Sequence, residues 1–242
     1  MNFSLPEDLI QYLNDLDAFI AAEITPLQYE NDNNRFFDHR REHARTDWDN
    51  GGLPRSEWEA LLREAVRRAD KAGFYRFHLP KAYGGQADGS SGRGSNLWMA
   101  VIREHLASKG LGLFNDLQTE HSVVGNFPDF VMAEHFGTEA QKKELIWGRL
   151  EGRTRITFGL TEPEHGSDAT HMATRAWREN KDGLAGWRIR GKKKWQTGMH
   201  HATHCLIFAR TDGKDGDANG ITCFMVDPKS EGLKVESYEW YA

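Results

Sequence analysis

The spacing of apolar residues along this chain changes period near residue 152. Before that point, apolar positions recur every three or four residues, the signature of amphipathic helices. Leu9, Leu13, Leu16 and Ile20 form one stripe, which predicts a first helix ending at Pro26, where the backbone donor is lost. Ser4 and Glu7 have the spacing of a capping box ahead of it. Trp58, Leu61, Leu62, Ala65 and Ala69 predict a second helix from about Pro54-Arg55-Ser56 to Gly73, with Trp58 and Phe74 filling a helical core. A third runs from Asn96 to about Lys109, and a fourth from about Asp129 to His135, stopped by Gly137. Thr138 and Gln141 box the start of the last, which ends near Gly152.

From Arg153 onward the period is two. Residues 154–160, 187–190 and 233–235 alternate polar with apolar, while 204–209 and 221–226 are short, nearly continuous apolar runs. Asp182-Gly183, Gly191, Asp212-Gly213, Asn219-Gly220 and Pro228 punctuate them as turns. Five or six strands with no helix between them predict an antiparallel sheet packed on itself or a small barrel. The expected fold class is therefore α+β: an all-helical domain over residues 1–152, then a β-domain over 153–242. The last residues, Trp240-Tyr241-Ala242, read as mid-strand. An open aromatic edge is an aggregation liability, so more chain is expected to belong there.

Two connectors carry little pattern. Residues 30–53 are crowded with Asn, Asp, Arg and His and read as a solvated connector or lid. Residues 84–95 are rich in Gly and Ser. Exposed backbone N–H groups bind anions, but no Gly-Lys-Ser/Thr follows and no buried strand precedes, so a flexible loop is expected rather than a phosphate cradle.

Composition narrows the classes. Of 242 residues, 38% are hydrophobic and 11% aromatic, including thirteen Phe and eight Trp, enough for a core and too many for a disordered chain. The longest apolar run, 97–102, is six residues against the roughly 20 needed to cross a bilayer. Thirty-one Lys and Arg against 36 Asp and Glu give a net charge of −5, spread along the chain. That balance suits neither nucleic acid nor an anionic membrane surface. The two cysteines, Cys205 and Cys223, both in strand-like runs, cannot make a disulfide framework. With no signal or transit pattern in the first residues, the cytoplasm is the expected compartment.

Candidate chemistry concentrates in two stretches. In Phe158-Gly159-Leu160-Thr161-Glu162-Pro163-Glu164-His165-Gly166-Ser167-Asp168, a strand delivers Thr161 and a turn follows that exposes backbone N–H groups. In Gly191-Lys192-Lys193-Lys194-Trp195-Gln196-Thr197-Gly198, Trp195 offers a flat face. Thr197, two residues on, is expected to place its hydroxyl on the same side of a strand. A face plus a hydroxyl suits a large planar ring with polar edges.

Together these stretches resemble the middle domain of the acyl-CoA dehydrogenase family, flavoenzymes that desaturate acyl thioesters. The family's T-E-P-x-x-G-S-D stands at 161–168 and its G-x-K-x-W-x-T at 191–197. Upstream, residues 80–85 resemble P-x-x-Y-G-G and 136–142 resemble F-G-T-E-x-Q-K. The resemblance implies a helical domain, a β-domain and a C-terminal four-helix bundle, of which the bundle is absent from these residues. It implies FAD as cofactor, bound along Phe158, Leu160, Thr161, Gly166 and Ser167, with Trp195, Gln196 and Thr197 opposite. Thr161 would bond the pyrimidine edge, Ser167 would touch both FAD and acyl-CoA, Trp195 would cover the ring and Thr197 would bond near N5. It further implies an acyl-CoA substrate, an electron-transfer flavoprotein or other acceptor, and a homodimer or homotetramer for the full-length protein. The family's base is a Glu of the bundle, so no catalytic residue is expected here and the 242-residue chain is expected to be inactive alone. Glu162 and Glu164 are expected to serve the turn.

The chain departs from the family pattern at Gln196, Gly198-Met199 and His165. These departures leave room for a flavin oxidase or monooxygenase on the same fold, and a third reading is a non-catalytic interaction module. His200, His201, His204 and Cys205 do not have the spacing of a metal site, so none is expected. Lys192-Lys193-Lys194 reads as a solvated strand start, with a secondary role in attracting CoA phosphates as the lesser alternative. Cys205 and Cys223 read as buried thiols without chemistry.

Overall fold

The computed structural model describes residues 4–115 and 122–238. The chain forms two compact units, one reaching to Phe127 and the other Pro128–Ser237. The termini expected to read as mid-strand, Trp240-Tyr241-Ala242, lie outside the described residues. No helix among the described residues is long and apolar enough to cross a membrane.

The first unit is helical. Helix α1 (Glu7–Phe19) buries Leu9, Leu13 and Leu16. The helix does not stop at Pro26 as the pattern predicts. A wide π-type turn, Ile20–Ile24, lets the Thr25 N–H reach the Ile20 carbonyl, and Pro26 enters the first turn of α2 (Thr25–Tyr29). Widening the turn removes the collision between the proline ring and a preceding carbonyl, so the axis continues. The Ser4–Glu7 box is not the cap either: Pro6 occupies the cap position with an extended backbone and no side-chain cap bond. Helices α3 (Ser56–Lys71) and α4 (Asn96–Ser108) complete the frame, the latter capped by Ser95 Oγ accepting from the Trp98 N–H. Tyr12, Phe74, Phe77 and Trp98 meet at its centre with ring separations of 4.8–6.5 Å. The 30–53 connector includes a two-residue ladder, β1 (Thr46–Asp47) with β2 (Leu53–Pro54). Arg45 from the connector lies 4.3 Å over the Trp58 ring.

The second unit opens with α5 (Pro128–Phe136), α6 (Glu139–Lys142) and α7 (Gly148–Leu150), the last two joined by another wide turn, Lys143–Trp147. Thr138 and Gln141 form the expected capping box. Strands β3 (Ile156–Gly159), β4 (Arg175–Lys181), β5 (Leu184–Arg190), β6 (His204–Arg210) and β7 (Ile221–Val226) then make one five-stranded sheet. β6 is its spine. Along one edge it pairs antiparallel with β7, and along the other it meets β3 and, at Arg210, β4.

The sheet is mixed, which corrects the all-antiparallel expectation. β3 runs parallel to β6, from Ile156 opposite His204 to Gly159 opposite Ile207. The whole β4–β5 hairpin lies between them in sequence, a connection long enough to return the chain in the same direction. Asp182 and Gly183, at φ 55° and 81°, are the two-residue turn that joins Lys181 to Leu184 in that hairpin. Strand β4 has no sequence signature, because only Ala176 of its seven residues is buried. Residues 233–235, expected as a strand, have no strand structure.

Arg210, at the end of β6, is 1% exposed. Its guanidinium donates to the carbonyls of Thr170 (2.5 Å), Asp217 (2.9 Å), Asn219 (3.1 Å) and Asp212 (3.3 Å). One buried cation thus fastens the β6–β7 loop to the turn that follows Asp168. A fork of five donors in fixed geometry suits four carbonyls, where an ammonium would not reach them all. Past β5, Gly191 runs so close to Thr174 that a Cβ there would stand 2.2 Å from Thr174 Oγ1 and 2.7 Å from its Cα.

Two substitutions test these contacts by urea unfolding. Arg210→Met should lower the unfolding free energy by about 2–4 kcal/mol, since four carbonyls lose a charged donor; a loss under about 0.5 kcal/mol would show that water replaces it freely. Gly191→Ala should cost about 1–3 kcal/mol through overpacking against backbone as well as side chain, and an unchanged midpoint would contradict that approach.

Candidate functional site

The two chemistry-bearing loops lie side by side. The Lys194 N–H donates to the Thr161 carbonyl at 2.9 Å, and Thr157 Oγ1 donates to the Thr197 carbonyl at 2.9 Å. Beneath them, the Glu162 carboxylate is enclosed. It accepts from the backbone N–H groups of Ala173 (2.6 Å) and Thr174 (2.9 Å) and from Lys193 Nζ (2.8 Å). Lys193 Nζ also donates to the Leu160 carbonyl at 3.0 Å. The two side chains are only 4% and 10% exposed.

Burial alone would raise the Glu162 pKa, but the Lys193 ammonium and the two backbone donors outweigh it and hold the carboxyl at about 2. Burial pulls the Lys193 pKa down, against the opposing pull of Glu162. Lys193 is therefore a buried partner rather than the solvated strand start that the lysine run suggested. A glutamate in one motif and a lysine in the other, 31 residues apart in sequence, were the signal; the run of three lysines hid it.

Trp195 is not on a strand. Its φ is +65°, in the left-handed region, and residues 191–196 have no strand pairing. Two-residue alternation therefore does not put Trp195 and Thr197 on one side, as expected from a strand. The left-handed step instead turns the chain and leaves the indole 52% exposed. The Lys194 ammonium stands 4.2 Å from its ring centroid. The Gln196 amide donates back to the Lys194 carbonyl at 2.5 Å, which braces the backbone beside the indole.

The other predicted residues are distributed around this bracket. Phe158 on β3 is 40% exposed and packs on Phe208 with centroids 4.8 Å apart. Leu160 is half-buried and gives its carbonyl to Lys193. Thr161 is half-buried, while Ser167 and Thr197 are exposed. Among the described residues, the hydroxyls of these three take no hydrogen bond. Gly166 is exposed, and a Cβ built on it meets nothing within 4 Å, so the backbone there is open to approach. Asp168 is spent on its own turn, accepting from the Thr170 N–H and hydroxyl and facing His171 Nδ1 at 2.8 Å. His165 stacks on His171 at 6.0 Å. Cys205 and Cys223 are held as thiols, each pushed up to about 11 by burial.

The bracket therefore offers an exposed aromatic face, three uncommitted hydroxyls and open backbone, with Glu162 neutralised and Asp168 engaged. This donor set fits a flat heteroaromatic ring with acceptor atoms on its edges. Residues 157–240 match the middle domain of acyl-CoA dehydrogenases. A 3-(aryl)acrylate reductase of Clostridium sporogenes is 32% identical over 172 residues, 71% of this chain and 41% of that protein. A glutaryl-CoA dehydrogenase of Desulfococcus multivorans is 25% identical over 242 residues, 99% of this chain and 52% of that protein. Among solved structures, the ChsE4–ChsE5 complex of Mycobacterium tuberculosis shares the fold with a TM-score of 0.62 at 20% identity, covering 96% of this chain and 49% of that one. The chain spans about half the length of the relatives it matches. With its helical unit, its mixed sheet and both loop motifs in that order, the chain belongs to the acyl-CoA dehydrogenase family.

Proposed function

We propose that this chain is the cofactor-facing half of an FAD-dependent oxidoreductase acting at Cα–Cβ of acyl-CoA thioesters. The observation that carries the reading is the bracket itself: Trp195 held outward by a left-handed backbone, fastened next to Thr161 by the Lys194–Thr161 hydrogen bond. FAD, when bound, supplies the acceptor for the two electrons that leave the substrate. The chain's own groups bind and orient it. Trp195 supplies the stacking face, and the Thr161 and Thr197 hydroxyls supply donors for polar ring edges. Phe158, Leu160 and Gln196 line the approach. Gly166 lets backbone close on the ligand, and Ser167 donates to cofactor and thioester.

The proton from Cα goes to a carboxylate elsewhere in the protein, because Glu162 and Asp168 are committed to their turns and Glu164 is exposed to solvent. The reading extends to an electron-transfer flavoprotein or similar acceptor and to a homo-oligomer. The similarity to a protein named as an arylacrylate reductase favours a second reading, in which the same bracket serves reduction of an α,β-unsaturated acyl group. Anaerobic mixing of the FAD-loaded full-length protein, which carries the base, decides direction: acyl-CoA thioesters bleach the flavin under the first reading, and unsaturated substrates reoxidise prereduced protein under the second. Neither bleaching nor reoxidation, in full-length protein that holds FAD, would overturn both.

Trp195→Ala should weaken FAD binding by about 1–3 kcal/mol, the scale of one lost aromatic face, measured by flavin fluorescence titration; equal affinity would refute the stacking role. The Glu162 carboxyl sits at about 2 in the fold against an ordinary 4.5. Its contribution is therefore present above about pH 5 and is lost as pH falls toward 2, because the unfolded chain takes up the proton first. The Glu162→Gln variant should lose on the order of 2 kcal/mol at pH 7 and should show a flatter decline of stability between pH 5 and 2. An identical acid limb in both proteins would show that the pair does not set it.

A further inference from the structure

The connector over residues 30–53 and the start of α3 shape a cavity of about 460 Å³, lined by Arg35, Arg41, His43, Ala44, Arg55 and Glu57. It lies within the first unit, and no residue of either loop motif lines it. Three guanidiniums border this one space, each braced by only part of its fork. Asn31 and Asp32 have left-handed backbones, φ 52° and 58°, and their carbonyls accept from Arg35 Nη1 at 3.4 and 3.1 Å. The Arg35 guanidinium also lies 4.1 Å over the Phe36 ring. Arg41 Nη1 donates to Asp32 at 2.9 Å, and Arg55 Nε donates to the His43 carbonyl at 2.7 Å. Among the described residues, Arg35 Nε and Nη2, Arg41 Nη2 and Arg55 Nη1 make no hydrogen bond. Asp32 and Asp38 beside Arg41, and Asp47 at 3.8 Å from Arg55, offset part of the positive charge from outside the lining. Within the lining, three guanidiniums stand against one carboxylate, Glu57. Glu57 is exposed and ionises below the usual glutamate range, held there first by its own N–H and the Ser56 hydroxyl, then by the fields of Arg35 and Arg55. It feels both cations and forms an ion pair with neither.

We propose that this cavity binds a phosphomonoester through the unused donor edges of Arg35, Arg41 and Arg55. A carboxylate has two oxygens in one plane and is satisfied by a single guanidinium fork. The donors here come from three separate points of the chain, so they suit an anion with three terminal oxygens. The volume is that of a small-molecule cleft and exceeds what inorganic phosphate fills, which leaves room for an organic body against Ala44 and the His43 ring. Glu57 opposes the anion from the rim and sets how tightly the site holds it. The phosphate belongs either to a free phosphoester or to the ribose phosphate of CoA, and both present the same dianionic group to the same donors. The site binds without FAD, so it stands or falls separately from the flavin reading.

The test is calorimetric titration of the 242-residue protein with phenyl phosphate, benzoate, CoA and dephospho-CoA, in wild type, Arg35→Gln, Arg41→Gln and Glu57→Gln. Phenyl phosphate should bind wild type, and each arginine variant should weaken it about ten-fold. Glu57→Gln should tighten it about two- to three-fold, because a like charge leaves the rim. Arg41 and Glu57 are exposed, and effects of opposite sign from the two cannot both arise from loss of fold. CoA binding more tightly than dephospho-CoA, with the gap erased by Arg35→Gln, would assign the site to the CoA phosphate. Equal binding of the two, with phenyl phosphate still sensitive to the arginines, would assign it to a free phosphoester. Benzoate binding as tightly as phenyl phosphate would overturn the choice of phosphate. Absence of phenyl phosphate and CoA binding, or binding that none of the three variants alters, would overturn the site.

Discussion

Everything in the candidate site hangs on burying one carboxylate. Glu162 sits in the first motif and Lys193 in the second, and neither charge would be tolerated in that interior alone. The carboxylate also takes the N–H groups of Ala173 and Thr174, at the entry to β4. Three stretches distant in sequence therefore share a single polar knot. Gly191 allows the second motif to come within touching distance of Thr174, so the knot closes without displacing the sheet. The Lys194 N–H on the Thr161 carbonyl then joins the same two stretches that the Glu162–Lys193 pair holds together.

Arg210 performs a similar task at the far end of the loop. It gathers carbonyls rather than carboxylates and secures the segment after Asp168 against the β6–β7 connection. The loop carrying Gly166 and Ser167 is thus anchored at both ends, by Glu162 before it and by Arg210 behind. Its middle remains open to solvent, which is the arrangement expected of a ligand-facing loop on a rigid support.

Much of this was legible from local signals. The Thr138–Gln141 box and the Asp182-Gly183 turn appear in the structure because each depends on chemistry within three or four residues. What failed to show was set by distance. The parallel pairing of β3 with β6 depends on where a hairpin returns, and no residue of β3 records it. β4 has polar residues on both sides, so period two has nothing to mark. Lys193 reads as surface because its neighbours are lysines, and Arg210 stands just past the apolar run 204–209 with no local pattern to mark its burial. Lys193 meets its carboxylate 31 residues away, and Arg210 joins three carbonyls of the following loop to that of Thr170, 40 residues back. Pro26 misled for the opposite reason: the local rule was right about the collision, and the helix escaped it by widening its turn.

The two thiols, Cys205 buried and Cys223 half-buried, bear on how electrons could move through such a protein. Cys205 lies at the foot of the Glu162–Lys193 knot and Cys223 on the neighbouring strand, and burial holds each at about 11. At neutral pH only about one thiol in ten thousand is then ionised, and the thiolate is the form that oxidants and disulfides attack. Both strands therefore hold their sulfur in the unreactive thiol form at neutral pH. The same seclusion makes Cys205 a natural stopwatch: alkylation there can proceed only as fast as β6 parts from its neighbours.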